Sequence, residues 1–73
     1  MNPPQNFALR GAHITLDALL KATGLTPSGG AAKMLIAEGA ARVNGETETR
    51  RGRKLRAGDE VTVGETVVRL TGP

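Results

Sequence analysis

Cysteine, tryptophan and tyrosine are absent from these 73 residues, and phenylalanine and histidine occur once each, as Phe7 and His13. Without cysteine there is no disulfide, no thiolate metal site and no thiol nucleophile. A lone histidine cannot complete a metal site or a hydrolytic triad, and Ser28 has no evident histidine and acid to activate it. The expectation is a chain with no catalytic residues, no bound metal and no cofactor. The shortage of aromatics excludes a second class of function: single-strand readers that stack bases on several aromatic rings have no platform here. Long apolar runs are missing too. None approaches the ~20 residues that span a bilayer, and the start MNPPQN lacks the charged and apolar regions of a secretion signal. The expected location is the cytoplasm, with no membrane partner.

What is present is short, glycine-rich and unevenly charged. A chain of this length forms one domain that buries only about 60% of its unfolded surface, so function is expected on the outside rather than in an enclosed pocket. Ten Lys/Arg against seven Asp/Glu leave a net charge of +3. Residues 50–56 (RRGRKLR) hold five of those cations and no acid, leaving the rest of the chain at −2. A concentrated patch of this kind attracts and steers polyanions. The competing reading is a solvated charged loop.

Residues 1–6 (MNPPQN) read as a loose N-terminal arm, and residues 7–73 as a single domain. Phe7-Ala8-Leu9-Arg10 can pair as an edge strand ended by Gly11. Leu16 to Thr23 is a helix with Thr15 as N-cap, Asp17 in the first turn and Gly24 as the stop; Leu16, Leu19, Leu20 and Thr23 form its apolar stripe. Leu25 is placed to close its C-terminal end. A second helix opens at Thr26-Pro27-Ser28, with Pro27 suited to the first helical position and Thr26 or Ser28 as the cap, and runs to about Glu38. Its stripe is Ala32, Leu35, Ile36 and Gly39. Met34 reads as core edge, and His13 as an exposed turn residue. Lys33 points away from the stripe, beside Gly30 and Ala37, on a low-relief face that a bulky backbone could approach.

Beyond Gly39 the period changes to two. Ala41 and Val43 alternate with Arg42 and Asn44, and Asn44-Gly45 is a tight-turn signal. Glu46 to Thr49 reads as a short exposed strand. Gly58 is expected at a positive φ before Val61 to Val63, and Gly64-Glu65 turns the chain into a last strand from Thr66 to Leu70. The acids Glu46, Glu48, Asp59, Glu60 and Glu65 all read as exposed strand and turn residues. The ten glycines fall at turns and helix ends, not in a GxxxxGK[ST] or GxGxxG arrangement, so no nucleotide site is implied. The order is an α+β domain: strand, two helices that can pack as a hairpin, then short antiparallel strands.

If such a chain binds nucleic acid, it does so through phosphates and shape, which favours folded or double-helical RNA. Arginine suits this because its planar fork donates two hydrogen bonds to one phosphate, and Gly52 lets neighbouring arginines converge. Ser28-Gly29-Gly30 adds a helix N-terminus whose free amides can hold an anion; simple loop geometry explains those glycines as well.

The run from Ser28 to Gly45 (SGGAAKMLIAEGAARVNG) followed by Leu55 to Val61 (LRAGDEV) resembles the S-four RNA-binding domain, also called the αL motif. SGGAAKMLIAEG followed by ETRRGRK is similar, more narrowly, to its short, stand-alone YbcJ-like bacterial members. The resemblance covers about residues 7–70. It implies a helix hairpin packed on a small antiparallel sheet, with RNA gripped by the second helix and the adjoining strand and loop. Family members occur in ribosomal proteins, tyrosyl-tRNA synthetases, pseudouridine synthases and a ribosome-recycling heat-shock protein. On this chain the implied positions are Ser28, Gly29, Gly30 and Lys33 on the helix and Arg42 and Asn44 on the strand; the YbcJ-like likeness adds Arg50, Arg51, Arg53 and Lys54. The wider family has arginine directly after the capping serine, where Gly29 stands here, so the expected grip moves from the helix to the basic loop. The function expected is non-catalytic binding of structured RNA, ribosomal or transfer, by a monomer, with the ribosome as a candidate partner. The alternative is a protein-interaction or ribosome-assembly adaptor whose basic loop docks on an acidic partner.

Overall fold

The computed structural model describes residues 4–72. In chain order the elements are β1 (Gln5–Ala8), β2 (Ile14–Thr15), α1 (Leu16–Ala22), α2 (Gly29–Ala37), β3 (Ala41–Val43), β4 (Glu46–Thr47), β5 (Lys54–Leu55), β6 (Glu60–Val63) and β7 (Thr66–Thr71). Five strands form one sheet in the order β1-β7-β6-β3-β4, and β2 and β5 form a separate two-stranded ladder.

The two helices pack on this sheet as an α+β domain, and the sheet is mixed, because β1 runs parallel to β7 while the other pairings are antiparallel. A parallel pair needs a long crossover, and here the whole intervening domain serves as one. The edge strand starts at Gln5 and not Phe7: Gln5 and Asn6, placed in the arm by composition, pair with Val68 and Arg69. Residues 1–3 of that arm lie outside the described residues.

Both helices form where the apolar stripes put them. Leu16, Leu19 and Leu20 of α1 and Ala32 and Ile36 of α2 are fully buried against Val43, Val61, Val68 and Leu70 of the sheet. Fully burying each leucine contributes about 1.5–3 kcal/mol, so α1 alone holds much of this thin core. Leu25 and Leu35 pack against it half-buried, and His13 is exposed as expected. Met34 is 65% exposed, not core edge, because it lies on the outer face of α2 with Lys33. Pro27 precedes α2 instead of opening it: Ser28 is the N-cap, its hydroxyl accepting from the Ala31 amide at 3.2 Å.

The turn between β3 and β4 is the two-residue Asn44-Gly45, with φ of 52° and 83°, the pair of left-handed conformations that a type I′ hairpin needs. Gly58 has a φ of 95°, as expected of its turn. Among the described residues no helix is long and apolar enough to cross a membrane.

Candidate nucleic-acid interface

The basic segment is held at both ends by main-chain hydrogen bonds. Lys54 and Leu55 pair with Thr15 and Ile14 in the small ladder, and the Leu55 side chain is fully buried. The first amides of α1 then donate to the segment itself, Leu16 to the Arg53 carbonyl at 2.9 Å and Asp17 to the Arg51 carbonyl at 3.1 Å. A helix N-terminus leaves such amides without intrahelical partners. Thr15 occupies the cap position, but its hydroxyl donates to Asp17 Oδ1 at 2.7 Å and accepts no helix amide. The carbonyls of the basic segment therefore take the part a capping side chain would play, and the segment is tied to the core through α1.

Its interior is organised by an acid. Glu48 lies among the buried residues at 7% exposure, not on an exposed strand, and its two oxygens collect five hydrogen bonds. Oε2 accepts from the Thr49 amide (3.1 Å), the Arg50 amide (3.1 Å) and Arg50 Nε (3.0 Å). Oε1 accepts from Arg50 Nη2 (3.0 Å) and Arg53 Nη1 (2.8 Å). The Arg50 side-chain contacts, then those of Arg53, hold the carboxyl far below the ordinary carboxylate range, outweighing the cost of desolvation. Glu48 in turn raises the Arg50 guanidinium. Asp59 and Glu60 are also only half-exposed. Asp59 is lowered first by the Arg56 amide, which donates to its Oδ2 at 2.8 Å.

The ten residues singled out by sequence thus fall into different situations. Arg51 and Lys54 are exposed, and Arg53 is half-buried on Glu48. Arg50 is paired with Glu48 through one edge of its guanidinium yet remains 73% exposed. On α2, Gly29, Gly30 and Lys33 are exposed, and the Ser28 hydroxyl is engaged as the cap. Arg42 is exposed on the sheet face turned away from Ala41 and Val43, opposite Thr47 and Thr62. With Gly39, Ala40, Thr62 and Gly64 it lines an open cleft of about 330 Å³. Asn44 is committed internally: its Nδ2 donates to Asp59 Oδ1 at 3.0 Å and its Oδ1 accepts from the Glu60 amide at 2.9 Å.

Among the described residues, Lys33, Arg42, Arg51, Lys54 and Arg56 form no ion pair. No hydrogen bond or ion pair there joins α2 side chains to the basic segment; the link between them is α1, which packs on α2 and holds the segment by its first turn. Reading residue by residue missed Arg56 as a candidate contact and Glu48 as the buried counter-charge of Arg50 and Arg53. The Asn44-Gly45 turn carried the signal for Glu48. A two-residue loop pairs Val43 with Glu46 and Arg42 with Thr47, which brings Glu48 opposite the buried Ala41, where its amide donates to the Ala41 carbonyl.

The S4 domain family model matches residues 7–71, from within β1 to the end of β7. The chain belongs to the S4 domain family. This S4 domain is similar over nearly its whole length to the solution structure of YbcJ from Escherichia coli. The TM-score is 0.73 at 38% identity, over 97% of this chain and 91% of that one. The description of that structure assigns YbcJ an αL motif involved in RNA-binding. In sequence, YbcJ of Escherichia coli (strain K12) is 46% identical over 50 residues, 68% of this chain and 71% of YbcJ. The "Probable ribosome maturation protein RlbA" of Bacillus subtilis (strain 168) is also 46% identical over 50 residues, covering 68% of this chain and 70% of RlbA.

Proposed function

We propose that this S4 domain binds structured RNA, ribosomal or transfer, without catalysing a reaction on it, and that it works on or with the ribosome. The observation that carries the reading is an ordered cationic segment: Arg51, Lys54 and Arg56 form no ion pair among the described residues and stand on a backbone pinned to α1 and β2. Such a segment meets phosphates without first having to be ordered, which is what makes fixed cations effective. Arg50 adds its outward edge. Lys33 and the free amides near Gly29 and Gly30 extend the contact along α2, and Arg42 extends it along β3. Ser28 and Asn44 serve the same surface indirectly, as the cap and the turn that hold these elements. The RNA-binding motif of YbcJ and the ribosome-maturation name of RlbA support the same reading.

Anisotropy of a fluorescein-labelled RNA hairpin, titrated with the protein at several salt concentrations, tests this. Log affinity should fall with log salt at roughly 0.7–0.9 per phosphate contact, a total slope of at least about two for this set of cations. A flat slope, or affinity unchanged when Arg50, Arg51, Arg53 and Lys54 are all replaced by alanine, rejects it. Partners captured from lysate that persist after RNase treatment would instead favour an adaptor that docks on an acidic protein.

A further inference from the structure

Resting on the RNA-binding reading, we infer that Glu48 is the positioning residue of the interface: it orients Arg50 to present the outer edge of its guanidinium to an RNA phosphate, while Arg53 braces the carboxylate from within. A guanidinium has two edges that can each hold an oxyanion side-on. In this chain the Nε/Nη2 edge of Arg50 is occupied by Glu48 at 3.0 Å on both contacts, which leaves Nη1 and the remaining Nη2 hydrogen facing outward on a 73% exposed side chain. A free surface arginine would have to give up several rotatable bonds to bind a phosphate in one geometry. This one has already lost them.

Arg53 has a different part. Its side chain is 34% exposed and donates through Nη1 to Oε1, the same oxygen that receives Arg50 Nη2, so it fixes the carboxylate from a second direction. The Thr49 and Arg50 amides fix it from a third. One acid and two guanidiniums carry a net single positive charge, so the cluster gives up part of the segment's electrostatic attraction for a fixed direction of donation. That trade separates the proposal from simple charge counting, because the two predict opposite signs when the acid is removed.

The test compares wild type, Glu48→Gln, Arg50→Lys and Arg50→Ala on the labelled RNA hairpin, with the amide NMR spectrum of each variant confirming that the core is intact. Positioning predicts that Glu48→Gln binds roughly tenfold more weakly although it is more positive, and that Arg50→Lys, which keeps the charge but has no second edge, is as weak as Arg50→Ala. Binding by Glu48→Gln as tight as wild type or tighter, with a steeper salt slope, overturns the inference. So does an Arg50→Lys variant that binds like wild type. Should Glu48→Gln fail to fold, the two Arg50 variants decide alone, since that side chain is mostly exposed. Absence of any salt-dependent binding by the wild type rejects the RNA reading itself and this inference with it.

Discussion

The basic segment and helix α2 hold their cations in place in opposite ways. Helix α2 is ordered by its own backbone and by Ala32 and Ile36 in the core, and it offers a single cation, Lys33, on an outer face that also carries the exposed Met34. The segment has cations in excess but no regular structure over Arg50 to Arg53, and it acquires order from outside: α1 amides, the β2–β5 ladder and the Glu48 carboxylate. Charge in a small domain becomes a fixed surface only where something buried holds it. With no arginine beside Ser28, the proposed grip takes its shape from α2 and most of its attraction from the segment.

The harshest perturbation acts through α1, which serves both regions. Leu19→Ala should destabilise the domain by about 2–5 kcal/mol, read from urea unfolding, because it empties a fully buried site in a thin core. Both regions should fail together. A narrower intervention sharpens the contrast: Arg51→Ala with Lys54→Ala should weaken hairpin binding roughly a hundredfold and lower the salt slope by about 1.4–1.8, while Lys33→Ala should lower the slope by only about 0.7–0.9. Equal effects of the two replacements would mean that α2 and not the segment leads the grip. The smallest effect is in pH. Glu48 is held well below its ordinary value near 4.5, so its contribution to stability is complete above that value and is lost as acid drives the pH down through the lowered one. Urea midpoints should therefore show no Glu48-dependent change between pH 7 and 6. Below about pH 4 they should fall more steeply for the wild type than for Glu48→Gln.

Most of the fold was legible because its signals are local. The leucine stripe of α1, the Ser28 cap and the Asn44-Gly45 turn each lie within one turn or one hairpin, where spacing translates directly into geometry. The parallel pairing of β1 with β7 was not legible, since Gln5-Asn6 has little apolar pattern and its partner lies at the other end of the chain. Pro27 was misplaced by two positions because Thr26 and Ser28 are equally good caps in isolation; burial of Thr26 left Ser28 to do it. Of the candidate site, the exposure of Lys33 follows from helical phase and the clustering of cations from the sequence, whereas the internal engagement of Asn44 depends on Asp59 and Glu60, far along the chain.

The amino-acid sequence alone carries five cations gathered in residues 50–56, no set of stacking aromatics and no chemistry-bearing constellation. Which of those cations face outward depends on the folded chain. Glu48 reads as one more alternating surface acid until the hairpin register sets it opposite Ala41, at the boundary of the core. There, removal from water makes its carboxylate demand partners, and the nearest donors are Arg50 and Arg53. A charge run lists what is available, while burial of a counter-charge, a property of the folded chain alone, determines how it is aimed.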